Sequence, residues 1–434
     1  MNKFKTLFLV IIESAIAIFI LYYLRPVLLA NDNYEISSIL PILLDISFLA
    51  IFASFGARLA KVFNVAPMAG KIFLGIIIGP ALFGAIDPYA QGVEIVRLAG
   101  IFFILFEAGL YFDLSILKKN FGSNILSTVS ATLVQLALFS LVGYYLLHLN
   151  WLPAVFLGGI FTATSLGLSV SALKAGNKLH TEVGDKILSI ALMSNIIGML
   201  LLTILGKFLY GGAEFGDIFL IALSVIGFLF VAFIMWSFNF IDKAAKYLDQ
   251  HYVTTSTGSY TRFFFGALIL ACALTSAIGL EPILGAFGIG LILSKMDHKI
   301  KSEVWTKIEG YMHIFVGGFL VSLGTMLGRE SLLNYHTWLY ALIFVILAFV
   351  GKCFIRFFYK NKREGILIAR ATTIRGEIGL AFLAIAIFNN VFTESLSASV
   401  LLAIVLVSVL GIILFEKEIF KQTRVEPSEL GEGI

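Results

Sequence analysis

Charge is what this chain has least of. Only 13% of its 434 residues are Asp, Glu, Lys or Arg, where soluble domains carry about 25%. With 59% hydrophobic residues, that scarcity excludes a water-solvated globule. Cysteine is almost missing: Cys272 and Cys353 stand far apart in apolar stretches, so neither a disulfide framework nor metal-ligand spacing can be read, and both thiols are expected to be buried. No second histidine stands at ligand spacing from His313, which is expected to be a packed, hydrogen-bonded helix residue. No motif implies a cofactor, a resident metal or a nucleic-acid partner. The longest polar connection, Asp242–Thr261, is expected to lie along the cytoplasmic interface, and nothing after Phe420 is long enough to fold into a soluble domain.

What the chain has instead is apolar runs, with phenylalanine alone contributing 41 residues. A membrane helix needs roughly 20 mostly apolar residues. Such runs fall at 7–29, 38–57, 66–84, 92–112, 122–147, 152–173, 187–206 and 217–241, then at 263–280, 282–294, 308–328, 335–355, 366–388 and 395–415. The first contains Glu13 and reaches Arg25-Pro26 without a small-residue cleavage site, so it reads as a retained helix rather than a signal peptide. Fourteen spans with both ends in the cytoplasm put most of the 31 basic residues on the cytoplasmic side, from Lys3 and Lys5 to Lys417, Lys421 and Arg424. Arg25, Lys207 and Arg329 stay outside, with Arg97 near that edge, and Lys71, Lys352, Arg370 and Arg375 fall within spans.

Two short spans share a spacing. The third begins Pro67-Met-Ala-Gly70 and continues to Gly75; the tenth begins Pro282-Ile-Leu-Gly285 and continues to Gly290. They lie seven spans apart, an odd number, so the copies are inverted. The same offset pairs the sixth span, with Gly158-Gly159 and then Thr162, Thr164, Ser165 and Gly167, with the thirteenth, containing Thr372, Thr373, Arg375, Gly376, Glu377 and Gly379. Interrupted helices at matching positions of inverted halves point to a transport site, because unwound backbone inside a membrane must be buried in protein or line a cavity. Ser/Thr side chains bonding their own helix carbonyls are the competing explanation.

A charge near the bilayer centre costs roughly 2.5–3.5 kcal/mol or more, so each demands a partner or a function. Glu107, Lys352, Arg375 and Glu377 are the deep ones, with Asp45 and Glu13 also inside spans. Arg375 and Glu377 read as a structural ion pair or as proton-pathway groups. Glu107 could pair with Arg375 or Lys352, or line an inner funnel. Lys352 could snorkel to the cytoplasmic interface or face the transport site. Glu281 reads as a solvated cap, and Ser194-Asn195 stand at mid-depth in the seventh span.

Six short stretches now make the chain recognisable. They are Pro67-x-x-Gly70 through Gly79-Pro80, Leu105-Phe106-Glu107-Ala108-Gly109-Leu110, Ala163-Thr164-Ser165, Gly279-Leu280-Glu281-Pro282 through Gly285-Ala286-Phe287, Gly351-Lys352, and Arg375-Gly376-Glu377. In this order and at these depths the chain resembles the monovalent cation:proton antiporters of the sodium/proton exchanger superfamily, most closely the bacterial cation:proton antiporter-2 branch. The likeness spans roughly residues 40–416. It implies an all-α fold with inverted repeats and two crossed broken helices, a separate dimerisation domain, a homodimer in the inner membrane, and alternating access for a small ion or solute and protons. The expected organisation is an extra helix at 1–30, the exchanger-like domain at 38–416 and a short cytoplasmic tail at 417–434.

The resemblance also implies an Asp-Asp or Asn-Asp pair in the seventh span, with a lysine matching Lys352 as partner of the first Asp. Here Ser194-Asn195 occupy those positions, so neither can carry negative charge. Three functions follow. One is cation:proton antiport with a non-standard site, using Thr162, Thr164, Ser165, Ser194, Asn195, Thr372 and Thr373 as neutral groups and Lys352 or Glu107 as proton carrier. Another is transport of an anionic or neutral solute, or an uncoupled ion pathway. The third is a non-transporting membrane sensor or assembly subunit. None is an enzyme.

Overall fold

The computed structural model describes residues 3–29, 34–63, 65–110, 114–175, 178–179, 181–211, 259–278, 280–294 and 298–423, with short pieces between 223 and 235. All regular structure among them is helical. Thirteen of the fourteen expected spans coincide with described helices; the eighth, and residues 242–258 of the polar connection, lie largely or wholly outside the described residues. Among the described residues, seven segments are long and apolar enough to cross a membrane by length and composition, one of them the interrupted stretch Lys362–Phe388, and several shorter apolar helices accompany them. The chain is an all-α, multi-pass membrane protein.

The helices form two compact units, each assembled from separated stretches. The first unit takes residues 1–112 and 223–335. It contains α1 (Lys3–Leu29), α2 (Tyr34–Phe63), α3 (Pro67–Ile78), α4 (Gln91–Leu110), α9 (Ser259–Ala277), α10 (Pro282–Leu293), α11 (His298–Thr325) and the short α12 (Arg329–Leu333). The extra N-terminal helix α1 packs on α2, where Arg58 pairs with Glu13, which gives that intramembrane carboxylate its partner. Phe48, Leu49, Phe52, Ile78, Ile86, Val93 and Val321 form the core.

The repeated Pro-x-x-Gly segments become α3 and α10, each twelve residues long with proline at the start of the helix, where its missing N–H costs nothing. Their glycines are there for proximity. A Cβ on Gly290 would collide with the Phe106 carbonyl, and one on Gly109 with the Phe287 carbonyl, so α4 and α10 touch backbone to backbone. Gly75 and Gly324 make the same reciprocal contact between α3 and α11. Arg97, in the second turn of α4, is fully buried, and its guanidinium donates to the Pro88 carbonyl at 2.6 Å.

The second unit takes residues 113–222 and 336–434. It contains α5 (Leu114–Leu141), α6 (Trp151–Ile160), α7 (Leu166–Ala175), α8 (Glu182–Gly211), α13 (Tyr335–Cys353, from His336 onward), α14 (Lys362–Thr373), α15 (Glu377–Phe388) and α16 (Glu394–Thr423). The sixth span is thus broken between α6 and α7, and the thirteenth between α14 and α15. Phe139, Phe161 and Phe344 stack around the first break, the Phe139–Phe161 pair at 4.1 Å between ring centroids.

Two expectations are corrected. Cys353 is exposed at the end of α13, and only Cys272 is buried. His313 is not packed: its side chain is 68% exposed and lies 3.5 Å from Glu309, one turn away on the outer face of α11.

Candidate transport site

A helix that stops in mid-membrane strands the carbonyls of its last turn and the amides of its next first turn. In the second unit the two breaks satisfy one another. Ser165 N–H donates to the Ile374 carbonyl at 2.9 Å, and the Thr164 hydroxyl donates to the Thr372 carbonyl at 2.9 Å. Arg375 Nη1 donates to the Ala163 carbonyl at 2.6 Å, and the Ser408 hydroxyl, on α16, donates to the Arg375 carbonyl at 2.6 Å. The expected pairing of the sixth and thirteenth spans is therefore a physical crossing.

Lys352 reaches the same place. It is 0% exposed, and its Nζ donates to the Thr162 carbonyl at 3.2 Å. Snorkelling is excluded by that burial. Together Lys352 and Arg375 place two cationic groups on the carbonyls that follow α6, the negative end of that half-helix dipole. Backbone dipoles thus partner Lys352 at this break.

Asn195 serves the opposite end of the break. It is 4% exposed, and its Oδ1 accepts from Thr164 N–H at 3.2 Å, just ahead of the α7 N-terminus. Ser165 caps α7, its hydroxyl oxygen accepting from Leu168 N–H at 3.3 Å. Ser194 is fully buried and its hydroxyl has no hydrogen-bond partner among the described residues. Thr162, Thr372 and Thr373 are buried as well, but their hydroxyls bond back to Gly159, to Ile368 and Ala369, and to Ala369 within their own helices. Of the four candidate threonines, only Thr164 turns its hydroxyl across the crossing.

Arg375 keeps Nε and Nη2 without hydrogen-bond partners among the described residues, while the side chain of Glu377 lies outside them. Glu107 belongs to the first unit, where its charge acts on Lys71. Arg370, the remaining basic residue of the thirteenth span, pairs with Glu418 at 2.5 Å and ties α14 to α16. A buried polar residue near the crossing that the sequence did not single out is Gln135. It is fully buried on α5, seated where Gly351 leaves room, next to Lys352 in sequence. Its signal was a polar residue in line with Asn124, Thr128 and Thr132 along an apolar span.

Two broken helices crossing at a buried lysine are matched by kinship. Residues 47–416 match the family described as sodium/hydrogen exchanger, transmembrane. The chain belongs to the sodium/hydrogen exchanger family. A probable Na(+)/H(+) antiporter of Bacillus cereus, GerT, is 27% identical over 339 residues, covering 75% of this chain and 85% of its own length. A Na(+)/H(+) antiporter of Enterococcus hirae is 26% identical over 372 residues, with 83% and 93% covered. Among solved structures, the sodium proton antiporter MjNhaP1 of Methanocaldococcus jannaschii superposes with a TM-score of 0.66 at 15% identity, covering 88% of this chain and 97% of that one. That likeness carries the fold. Members of the exchanger family are secondary transporters, so this exchanger is a carrier by descent and not an enzyme.

Proposed function

We propose that this exchanger performs monovalent cation:proton antiport by alternating access, with an amine where the related pattern has a carboxylate. The observation that carries the reading is that Lys352 and Asn195 hold the same break, one at the Thr162 carbonyl and the other at Thr164 N–H. Asn195 and the threonines do not titrate near neutral pH, and a guanidinium keeps its proton, so among the described side chains of the crossing Lys352 is the one to carry the proton. With its proton on, the ammonium repels a second cation. With its proton off, the Thr162 carbonyl, the Thr164 hydroxyl and Asn195 Oδ1 offer neutral oxygens, and the amine offers a lone pair. A proton and a cation then exclude each other at one position, which is what antiport requires. The distribution of basic residues supports both termini in the cytoplasm, and a homodimer in the inner membrane fits the family.

The test is cation-triggered proton movement in proteoliposomes. Sodium, potassium or lithium added outside should drive protons across, and Lys352→Gln should abolish the coupling while the protein still folds. No proton movement with any of the three between pH 6 and 9 would remove the reading.

A further inference from the structure

The buried face of α5 carries polar groups that the crossing does not use. Asn124, Thr128, Thr132 and Gln135 share one helix face, and none is more than 2% exposed. The face has two distinct ends. At one, the Tyr359 hydroxyl donates to Asn124 Oδ1 at 2.8 Å, and Tyr359 is followed by exposed Lys360, Lys362 and Arg363. At the other, Phe139 follows Gln135 by one turn and stacks on Phe161, the residue before Thr162. The polar line therefore starts at a basic rim and stops, sealed by aromatic rings, at the level of the break.

Gln135 is the last polar side chain on that line. Both its Oε1 and its Nε2 lack hydrogen-bond partners among the described residues, as does the Thr132 hydroxyl one turn earlier. A buried carboxamide left without hydrogen bonds is strongly unfavourable, and apolar packing would have been the cheaper use of the space. Instead the backbone makes room for it: a Cβ on Gly351 would collide with Gln135 Oε1. The carboxamide is thus held against the residue adjoining Lys352. Carboxamide and hydroxyl oxygens are what a partly dehydrated monovalent cation accepts in place of water.

We infer that this face of α5 lines the aqueous route along which a monovalent cation reaches Lys352 from the Tyr359 end, and that Gln135 Oε1 is its last ligand before the crossing. The nature of the cargo rests on the antiport reading; the route rests on α5 alone. In the full-length protein carrying Cys272→Ser and Cys353→Ser, Gln135→Cys and Thr132→Cys should react with a positively charged, water-soluble thiosulfonate. Leu126→Cys and Leu133→Cys, at positions 63% and 58% exposed on the outer surface of α5, should react at least tenfold more slowly in the bilayer. Sodium or potassium at saturating concentration should slow the reaction at position 135. Separately, Gln135→Leu should raise the cation KM at least tenfold while leaving the maximal rate and its pH profile within twofold of the parent.

Thiols at 132 and 135 no faster than the outer controls would overturn the route. An unchanged KM in a folded Gln135→Leu protein would overturn the ligand. If those thiols react and are protected by cation while the parent moves no protons, the route stands and the antiport reading fails.

Discussion

The Thr164 hydroxyl donates to the carbonyl of Thr372 across 208 residues of chain, joining the two breaks side chain to backbone. Its neighbour Ser165 adds a backbone bond to Ile374. The crossing is thereby a single object, and each substitution below acts on it from a different side.

Lys352 is the first. Lys352→Ala removes the ammonium and leaves the Thr162 carbonyl without its buried donor, a loss of about 1.5–3 kcal/mol for a charged hydrogen bond. Lys352→Arg keeps charge and donors but not the ability to release a proton. Proton coupling should vanish in both variants. Thermal unfolding in detergent should fall chiefly in the alanine variant, and equal proton flux in parent and Lys352→Arg would contradict a carrier role.

Asn195→Asp introduces the carboxylate that the family resemblance leads one to expect in the seventh span. The substitution is nearly isosteric, and the new oxygen would still accept from Thr164 N–H, at the favourable end of α7. Folding should be preserved. A titratable acid so close to the lysine's break should steepen the pH dependence of cation exchange and tighten cation binding, measured as KM across pH 6 to 9. An unchanged profile would mean that position 195 does not meet the cargo.

Gly376 is where the second break passes Ser165. A Cβ there would lie 2.6 Å from the Ser165 Cβ, so Gly376→Ala must separate the two breaks. The expected cost is about 1–3 kcal/mol, as for overpacking generally, with transport lost before the fold. A melting temperature and a flux equal to the parent's would show that the crossing is looser than these contacts require.

Tyr359 lies just beyond its membrane span, and burial holds its phenol above the ordinary value near 10. An acid whose folded value is raised contributes stability that is present below the unfolded value and lost as pH rises from there through the folded value. The parent should therefore lose stability as pH rises above about 10. Tyr359→Phe should lose roughly 0.5–1.5 kcal/mol at pH 8 with the bond to Asn124, yet show a flatter alkaline decline. Parallel alkaline curves would contradict this assignment.

The spans were legible because hydropathy and the alternation of basic residues are set by the bilayer, not by contacts. The breaks were legible too: glycines and threonines recur at matching inverted positions, and they become the gaps between α6 and α7 and between α14 and α15. Depth along a span does not determine which face a side chain takes. That is why the sequence leaves Lys352 between snorkelling and the site while the structure buries it at the Thr162 carbonyl, and why His313 and Cys353 turned outward against expectation. The helix dipole was the other blind spot. With Ser194-Asn195 uncharged, Lys352 looked unpartnered, because sequence does not reveal that its ammonium faces the carbonyl end of α6. Gln135 carried only a faint signal, its line with Asn124, Thr128 and Thr132, and the placement of Gly351 beside it is what gives that line a destination.

The carbonyls of Thr162, Ala163, Thr372, Ile374 and Arg375, which sit at the helix interruptions, are all engaged by donors from elsewhere in the same unit. An unwound segment usually needs water wherever it goes, and water is what hydrocarbon cannot supply. Here those carbonyls bring their own donors, so the interrupted backbone can change depth in the membrane without being rehydrated and stripped at every turnover.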